Sequence, residues 1–513
     1  MVTDFRIRRK SWALFLLALG LIAVLASVAM ANDAPADAHQ ASAEHATAEH
    51  SEVHVSPVGL LPLWTAIPFV GILLSIALGP LIAPHFWHKR FPAISTFWAV
   101  LFAVPFLIWN TTEAFQEILH IYFLDYFPFI ILLWGLFTIS GGIYVGGSLR
   151  GSPKVNFTLL LIGTLLASII GTTGAAMVLI RPLLRANEWR RHKVHLVIFF
   201  IFLVANIGGS LTPLGDPPLF LGFLHNVPFF WVTTHLLDEM LFTSVLVLIV
   251  FFIVDSRLYR QEKNIPAHDP NAAGIKIEGW HNLFFLLGVI GAVVMSGSVE
   301  MKSITVYDGG SHAVTVPLQN WVKDFIIILM GVLSMLTTSK SLRKKNGFSW
   351  FPIKEVAYLF AGIFMTIIPA LAILKAGSAG ALSDLTTAIH GPVRYFWATG
   401  ILSAFLDNAP TYLTFFNAAL GELGKVEAEI PGLLGYLGPE LRHQEFISDL
   451  TAISAGAVFM GAVTYIGNAP NFMVKAIAEE MGIPMPSFFG YMFKWSVPIL
   501  MPIFVIVTFV FFV

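Results

Sequence analysis

Two acidic residues stand inside long apolar stretches of this chain, where a charge is costly. Asp216 and Asp407 are flanked by apolar residues and followed closely by proline. A carboxylate at the depth of a bilayer costs at least ~2.5–3.5 kcal/mol on insertion scales, so it is a functional-site hypothesis by default. Burial favours the neutral acid, which holds a proton and gives it up to an arriving cation. The two acids therefore predict competition between a proton and a small cation.

Both acids also have a structural interpretation. Aspartate before Asn-Ala-Pro or before Pro-Pro is a good N-cap, because its side chain accepts a hydrogen bond from a free N–H of the next helix. We expect function to dominate at Asp407, so that Asp407→Asn abolishes exchange. The cap has more weight at Asp216, which two prolines follow, so that Asp216→Asn has a milder effect. The two roles can coexist.

A motif around Asp216 occurs twice in the chain. Residues 209–220 and 461–472 align without gaps and share Gly, Thr, Gly, Pro and Phe at five of twelve positions. Each copy interrupts an apolar stretch. Paired apolar segments interrupted by Gly and Pro, one in each half of a membrane protein, point to the binding site of a transporter.

The candidate site residues supply carboxylate, amide, hydroxyl and backbone oxygens. Such oxygens are hard ligands, which can replace the hydration shell of an alkali cation. The asparagines fit equally well as hydrogen-bonding partners between helices. The predicted site comprises Asp407, Asn408, Asp216, Thr212, Asn206, Thr172, Thr173, Thr464, Asn468, Gly215 and Gly467, with Asp407, Asn408 and Asp216 as ligands of Na⁺.

The composition places this chemistry in a membrane. Of 513 residues, 56% are hydrophobic and only 12% are charged, and a soluble domain cannot hide so much apolar surface. The net charge of −1 argues against nucleic acid as a partner. The absence of cysteine excludes disulfides and thiolate chemistry. We expect a transporter of small inorganic cations with no cofactor, and not an enzyme.

An intramembrane aspartyl protease would also need two membrane aspartates. That chemistry usually carries Gly-x-Gly-Asp, whereas residues 213–216 read Pro-Leu-Gly-Asp. The sequence therefore favours transport.

The N-terminal residues resemble an export signal. A basic start, an apolar stretch over 12–28 and Ala29-Met30-Ala31 predict a signal peptide over 1–31, with an uncleaved anchor as the alternative. Residues 32–58 are polar and rich in histidine, and we expect them to be disordered and periplasmic.

Windows of about 20 apolar residues predict the membrane spans. Four further apolar regions are longer or interrupted: 155–186, 195–225, 391–421 and 447–480. The continuous spans are predicted at 60–84, 92–110, 124–149, 238–254, 280–297, 322–338, 354–375 and 487–512.

The positive charges set the orientation, because short cytoplasmic loops carry Lys and Arg. Basic residues flank region 155–186 on both sides, so both ends should be cytoplasmic and the region a re-entrant hairpin with its tip at Gly171–Gly174. Arg181, in its returning arm, is close enough to the cytoplasm to snorkel. Region 391–421 is the second hairpin, with Asp407 at its tip. Regions 195–225 and 447–480 are then broken helices that cross fully.

The order of elements repeats along the chain. One unit covers about 92–254 and the second about 322–512, in opposite orientations. We therefore predict an all-α polytopic membrane protein in which residues 60–513 form the transporter domain. It has inverted repeats, about ten transmembrane helices, two re-entrant hairpins and two broken helices.

Three strings carry a resemblance to a known family. They are Thr-Pro-Leu-Gly-Asp-Pro-Pro at 212–218, Phe-Leu-Asp-Asn-Ala-Pro-Thr at 405–411 and Thr-Tyr-Ile-Gly-Asn-Ala-Pro-Asn-Phe at 464–472. On these, residues 60 to 513 resemble the NhaD-type sodium/proton antiporters. Those belong to the ion transporter superfamily, which also holds arsenite permeases and citrate-type carriers.

The resemblance implies exchange of Na⁺ (or Li⁺) for H⁺ across a bacterial inner membrane by an elevator-like mechanism. It also implies a homodimer, with a scaffold domain and a mobile transport domain that carries the hairpins and broken helices. The antiporter branch tends to carry acidic or Asn-bearing residues at its first hairpin tip, whereas the tip here reads Gly-Thr-Thr-Gly.

Na⁺-coupled transport of a carboxylate such as citrate, or of an oxyanion, is the alternative function. A carboxylate carrier should offer uncharged Ser, Thr or Asn tips, with or without an arginine, and no acids at mid-membrane. Thr172 and Thr173 fit this alternative, whereas Asp216 and Asp407 weigh against it.

Overall fold

The computed structural model describes residues 57–147, 149–263, 276–308, 313–382 and 389–513. The predicted signal peptide or anchor, 1–31, and residues 32–56 of the histidine-rich segment lie outside the described residues. Pro57 and Val58 were predicted to be disordered, and this is wrong. They belong to a 3₁₀ turn, Pro57–Leu60, that packs on a later helix, and Val58 is buried.

The described residues form an all-α polytopic membrane protein, as predicted. Nine of their helices are long and apolar enough to cross a membrane. The uninterrupted helices are Ile67–Ile82 (α1), Pro84–Trp109 (α2), Thr111–Ser140 (α3), Trp231–Tyr259 (α8), Asn282–Ser298 (α9), Leu318–Thr337 (α10), Phe351–Lys375 (α12) and Phe488–Phe512 (α17), with a short helix, Lys340–Lys345 (α11).

The four interrupted regions are interrupted where the sequence predicted. The first hairpin consists of Pro153–Ile170 (α4) and Thr172–Ala186 (α5), and the second of Gly391–Phe405 (α13) and Asn408–Leu423 (α14). The first broken helix consists of Val194–Leu203 (α6) and Pro217–Leu224 (α7), and the second of Gln444–Met460 (α15) and Ala469–Glu480 (α16).

Local chemistry explains these interruptions. Gly171 has a φ of +79°, a left-handed conformation that glycine adopts without strain, and it separates α4 from α5. Helix α7 begins with proline at its first position and α16 has proline at its second, where the missing N–H is not needed. Neighbouring residues in the sequence therefore set these three breaks.

One predicted span is too long. The span at 124–149 was expected to continue past Gly141, but α3 ends at Ser140. Residues Tyr144–Gly146 (β1) instead pair antiparallel with Lys276–Glu278 (β2). A second small sheet joins Ser303–Tyr307 (β3) to Val314–Pro317 (β4).

The broken helices lie inside the protein, and the spans surround them. Only 22% of the residues in an apolar 18-residue stretch of α2 are buried. In a stretch of the same length within Gln444–Val463, which covers α15, 94% are buried. The two halves also interlock: α5 of the first hairpin packs on α16, and α14 of the second hairpin packs on α7. The interruptions are thereby brought together in the interior.

Two arginines near the ends of helices are buried. Arg190 is 2% exposed and forms an ion pair with Asp255 at 2.5 Å, and His195 lies 2.8 Å from the same carboxylate. Arg343 is 6% exposed and donates to the carbonyl of Thr138 at 2.6 Å. These two arginines therefore tie elements together in the interior of the protein.

Candidate functional site

The carboxylate of Asp216 is the point at which the four interrupted elements meet. Its Oδ1 accepts hydrogen bonds from the Thr172 hydroxyl and from Asn468 Nδ2, both at 2.9 Å. Its Oδ2 accepts from Asn408 Nδ2 at 2.5 Å. Asp216 is only 2% exposed, and its three partners are equally buried. One acid thus receives donors from both hairpin tips and from the second broken helix.

Asp216 does not cap the helix that follows it. It occupies the N-cap position of α7, but its side chain makes no cap hydrogen bond. Asp407 does cap its helix, since its Oδ1 accepts from the backbone N–H of Ala409 at 3.1 Å. The sequence had favoured a functional role for Asp407 and given the cap more weight at Asp216. The structure shows the opposite for the cap: Asp407 caps its helix and Asp216 does not.

The backbone at the two hairpin tips makes corresponding contacts in the two halves. The N–H of Thr172 donates to the carbonyl of Gly215 at 2.8 Å, and the N–H of Asn408 donates to the carbonyl of Gly467 at 3.2 Å. Each tip is therefore fixed to the unwound segment of its own half.

The threonines of the repeated motif hold the same junctions. The Thr212 hydroxyl donates to the carbonyl of Ser168, and the Thr464 hydroxyl donates to the carbonyl of Ala404 at 2.5 Å. Both hydroxyls also accept from backbone N–H groups of their own loops. These two predicted site residues therefore hold the unwound backbone against the hairpins and do not contact Asp216.

The glycines of the motif allow the unwound segments to fold tightly. A Cβ on Gly215 would lie 2.0 Å from the carbonyl oxygen of Gly209. A Cβ on Gly467 would lie 2.6 Å from the carbonyl oxygen of Gly461. Both positions exclude any side chain, because real Cβ atoms do not approach an oxygen so closely.

Asn206 reaches the acid through another amide. Its Oδ1 accepts from Asn468 Nδ2 at 3.3 Å, and its own Nδ2 donates to Asn471 Oδ1 at 2.6 Å. The amide oxygens of Asn408 and Asn468 are buried and have no hydrogen-bond partner. Two unused oxygens therefore belong to residues that contact the Asp216 carboxylate.

A cavity of about 70 Å³ adjoins this cluster, and a larger one lies next to it. The small cavity is lined by Asp216, Asp407 and Asn468 and by Thr172 and Thr173 of the first tip. Thr173 also lines this cavity, whereas Thr172 is the threonine of this tip that bonds to Asp216. The larger cavity, about 480 Å³, also reaches Asp407 and Asn468.

The lining of the larger cavity is acidic. Glu355, Asp407, Glu479 and Glu480 line it, against one arginine, Arg181, and His88. Arg181 lies 3.7 Å from Glu480. Since Arg181 lies in the arm predicted to return to the cytoplasm, this cavity leads from that end to Asp407.

A charge network joins four elements beyond the site. The imidazole of His225 lies 3.2 Å from Asp125 and 2.8 Å from Glu427, and Lys375 lies 2.5 Å from Glu427. Asp125 belongs to α3 and Lys375 ends α12, whereas His225 follows α7 and Glu427 follows α14. Burial by itself would raise the pKa of Glu427, but the positive groups of His225 and Lys375 outweigh desolvation and hold that pKa well below its usual range.

Three polar residues were not predicted from the sequence. Asn471 was quoted within the second motif copy but not assigned to the site. His225 ends the first broken helix and stood unremarked. Lys323 lies within a predicted span and is fully buried, 3.6 Å from Asp324 and 5.8 Å from the ring centre of Phe220. The sequence feature that could have identified them is a polar residue inside an apolar stretch.

Neither acid of the site has a basic partner among the described residues, since their ion pairs do not include Asp216 or Asp407. The same part of the chain holds no group of three His, Cys, Asp or Glu side chains that could bind a metal ion. The site is thus one buried carboxylate surrounded by neutral amides and hydroxyls.

A family model matches almost all of the described residues, and known proteins are similar to this chain over a smaller share of its length. A family model described as "Putative citrate transport" matches residues 59–512. An uncharacterized transporter of Mycobacterium tuberculosis is 25% identical over 399 residues, with 72% of this chain and 82% of the relative covered. An uncharacterized transporter of Synechocystis is 23% identical over 385 residues, with 68% and 75% covered. The protein is a multi-pass membrane transporter, and it belongs to the family that this model describes.

Proposed function

We propose that this transporter exchanges Na⁺ (or Li⁺) for H⁺ by an elevator-like alternating-access mechanism. The observation that carries the proposal is the buried carboxylate of Asp216, held by three neutral donors with no basic partner among the described residues. In keeping with the resemblance, we place it in a bacterial inner membrane, as a homodimer, with residues 32–58 in the periplasm.

The charge of Asp216 explains why exchange follows from this geometry. Three neutral donors stabilise a carboxylate but leave its negative charge uncompensated in a low-dielectric interior. A single positive charge removes most of that cost, and either a proton or a small cation supplies it. The two cannot bind the same oxygens together, so binding of one releases the other.

The surrounding oxygens suit an alkali cation. Oδ1 of Asn408 and Oδ1 of Asn468 lack partners, and Asp407 lines the same cavity. Amide and carboxylate oxygens are the hard ligands that such a cation accepts. We propose Asp216 as the shared site, with Asn408, Asn468 and Asp407 as further ligands. The sequence suggested that Asp407 is more important for exchange than Asp216, and we propose the reverse.

The acidic cavity supports cation entry from the end predicted to be cytoplasmic. Its four carboxylates exceed its one arginine, so its potential attracts cations and repels anions. The charge network joins the elements at the opposite end. Together they describe a transporter open at one end and closed at the other.

The charge network also divides the molecule as an elevator requires. Asp125 and Lys375 belong to spans, which we assign to the scaffold. His225 and Glu427 belong to the elements that carry the site, which we assign to the mobile domain. A movement of one against the other must break these ion pairs, so we propose that the network holds the inward-open state.

Transport of a citrate-like carboxylate is the second candidate. The larger cavity, about 480 Å³, falls within the range of about 300–1,000 Å³ that small-molecule sites occupy, and Arg181 lines it. The description of the family model names the same substrate class. The four carboxylates that line the cavity oppose it.

Purified protein in liposomes with an internal pH probe tests both candidates. Under the proposal, added Na⁺ or Li⁺ changes the internal pH of the vesicles and K⁺ or citrate does not. Accumulation of labelled citrate, together with no proton movement upon addition of Na⁺, would replace the proposal by the second candidate. Vesicles that contain the Asp216→Asn variant are the control.

A further inference from the structure

The larger cavity has aromatic walls. Six aromatic residues line it: Trp87, Phe137, Phe351, Phe360, Tyr465 and Phe472. They belong to spans and to the second broken helix, and all but Phe351 and Phe472 are buried. The face of an aromatic ring carries partial negative charge and attracts cations, above all organic cations, which hold their water weakly. The walls therefore suit a ligand that is both apolar and positively charged.

Glu355 places a carboxylate within these walls. It lies on α12 one turn after Phe351, so both side chains are on the same face of that helix. The indole N–H of Trp87, from α2, donates to Oε1 of Glu355 at 3.4 Å. Glu355 thus shares the cavity wall with two aromatic side chains.

The charges of the cavity leave two carboxylates for a ligand. The other two have basic partners, in the pairs Lys475–Glu479 at 2.8 Å and Arg181–Glu480 at 3.7 Å. The ion pairs of the described residues include neither Glu355 nor Asp407. The remaining basic group of the lining is the imidazole of His88. A cation in this cavity therefore meets Glu355 on the wall and Asp407 at the inner end.

The size of the cavity indicates a ligand larger than an alkali ion. Its volume of about 480 Å³ falls within the range of small-molecule sites. An alkali ion binds a few oxygens and leaves the aromatic walls unused. A planar amidinium or guanidinium group can form two parallel N–H···O bonds with one carboxylate. A flat apolar body attached to that group can then contact the rings.

We propose that the larger cavity binds an organic cation, with an amidinium or guanidinium head on Glu355 and a flat apolar body against Trp87 and Phe351. A ligand in this position stands between the end predicted to be cytoplasmic and Asp407, which lines the same cavity. It therefore blocks the entry of Na⁺. Binding depends on the cavity alone, and only the block rests on the proposed function.

The test is a calorimetric titration of the purified full-length protein with three probes. Benzamidine carries both the charged head and the ring. Benzamide has nearly the same shape without the charge, and acetamidine has the head without the ring. We expect saturable binding of benzamidine, and binding weaker by roughly tenfold or more for each of the other two probes.

A pair of substitutions locates the ligand. Glu355→Gln should weaken benzamidine binding by roughly tenfold or more, because the head loses its charged partner. Glu239→Gln is the matched control, since Glu239 is a buried glutamate of α8 and is not among the described residues that line the cavity. Its affinity for benzamidine should equal that of the wild type. Thermal unfolding in detergent checks that both variants are folded, and if Glu355→Gln is not, the three probes on the wild type decide.

Equal binding of benzamidine and either other probe would overturn the inference, as would an unchanged affinity in folded Glu355→Gln. In the liposome assay, benzamidine should raise the Na⁺ concentration for half-maximal exchange, and exchange that is unaffected at saturating benzamidine would refute the block. Benzamidine that binds as expected to a protein that moves no Na⁺ would instead count against the proposed function alone.

Discussion

Asn408 donates a hydrogen bond of 2.5 Å to Asp216, a residue 192 positions earlier in the chain. The two residues belong to opposite halves, one at the tip of the second hairpin and the other in the unwound segment of the first broken helix. Each is buried, so the contact is shielded from water. The acid of one half therefore depends on donors from the other.

Asp216→Asn should reduce Na⁺-dependent proton movement to the level of empty liposomes. The amide keeps the shape of the side chain but cannot bind a proton reversibly or balance the charge of a cation. Internal pH in liposomes measures the loss, and thermal unfolding in detergent checks that the protein is folded.

Asp407→Asn is the matched variant. Asparagine still caps α14, because its oxygen accepts from Ala409, so we expect exchange with a weaker apparent affinity for Na⁺. If exchange survives in Asp216→Asn and disappears in Asp407→Asn, Asp407 is the more important acid, as the sequence suggested.

Thr172→Val should raise the Na⁺ concentration for half-maximal exchange by roughly tenfold or more. It removes one hydrogen bond to a charged group, worth about 1.5–3 kcal/mol, and leaves the shape of the side chain unchanged. The control is Thr366→Val, because the buried hydroxyl of Thr366 only bonds to carbonyls of its own helix. Equal effects of the two substitutions would contradict a role for Thr172 at the acid.

Gly215→Ala and Gly467→Ala should both abolish transport. The added Cβ would lie 2.0 or 2.6 Å from a backbone oxygen, so the unwound segments must open and the hairpin tips lose their anchors. Gly291→Ala in α9 is the control, since a Cβ there meets nothing within 4 Å. That variant should transport normally and unfold at an equal or slightly higher temperature. Normal transport by either motif variant would contradict the tight fold of these segments.

Glu427→Gln should destabilise the protein in a pH-dependent way. The pKa of Glu427 lies well below its ordinary value in the folded protein. The ionised form therefore contributes stability fully above the unfolded value of about 4.3, and this contribution is lost as the pH falls through the lower folded value. We expect Glu427→Gln to unfold at a lower temperature than the wild type at pH 7, with the difference shrinking below about pH 4. A difference that stays constant across this range would exclude the charge as its cause.

Cross-linking across the charge network should stop transport reversibly. The chain has no cysteine, so Lys375→Cys with Glu427→Cys gives a single pair, which a short reducible reagent can join. If the network must open in each cycle, the cross-linked protein is inactive and reduction restores exchange. Each single cysteine variant, treated in the same way, is the control. Undiminished exchange in the cross-linked protein would rule out the proposed movement between α12 and the site.

The positions of the helix breaks could be predicted because they depend on local conformation. Gly171 adopts a left-handed φ, and proline is the first residue of α7 and the second of α16, so neighbouring residues alone determine these points. The predicted span at 124–149 was longer than the helix because of a contact with a distant part of the chain. Residues Tyr144–Gly146 pair with β2, more than a hundred positions later. Apolar composition gave no sign of that pairing.

By itself, the sequence determined the class of protein, the spans, the interruptions and the kinds of oxygen at the site. Only the tertiary structure decided that Asp216 receives the donors while Asp407 caps a helix, that Thr212 and Thr464 anchor backbone, and that Asn471 belongs to the site. The physical reason is that a side chain's role depends on which groups reach it and which way they point. For Asp216 those groups come from residues in both halves of the chain, and only folding brings them within hydrogen-bonding distance.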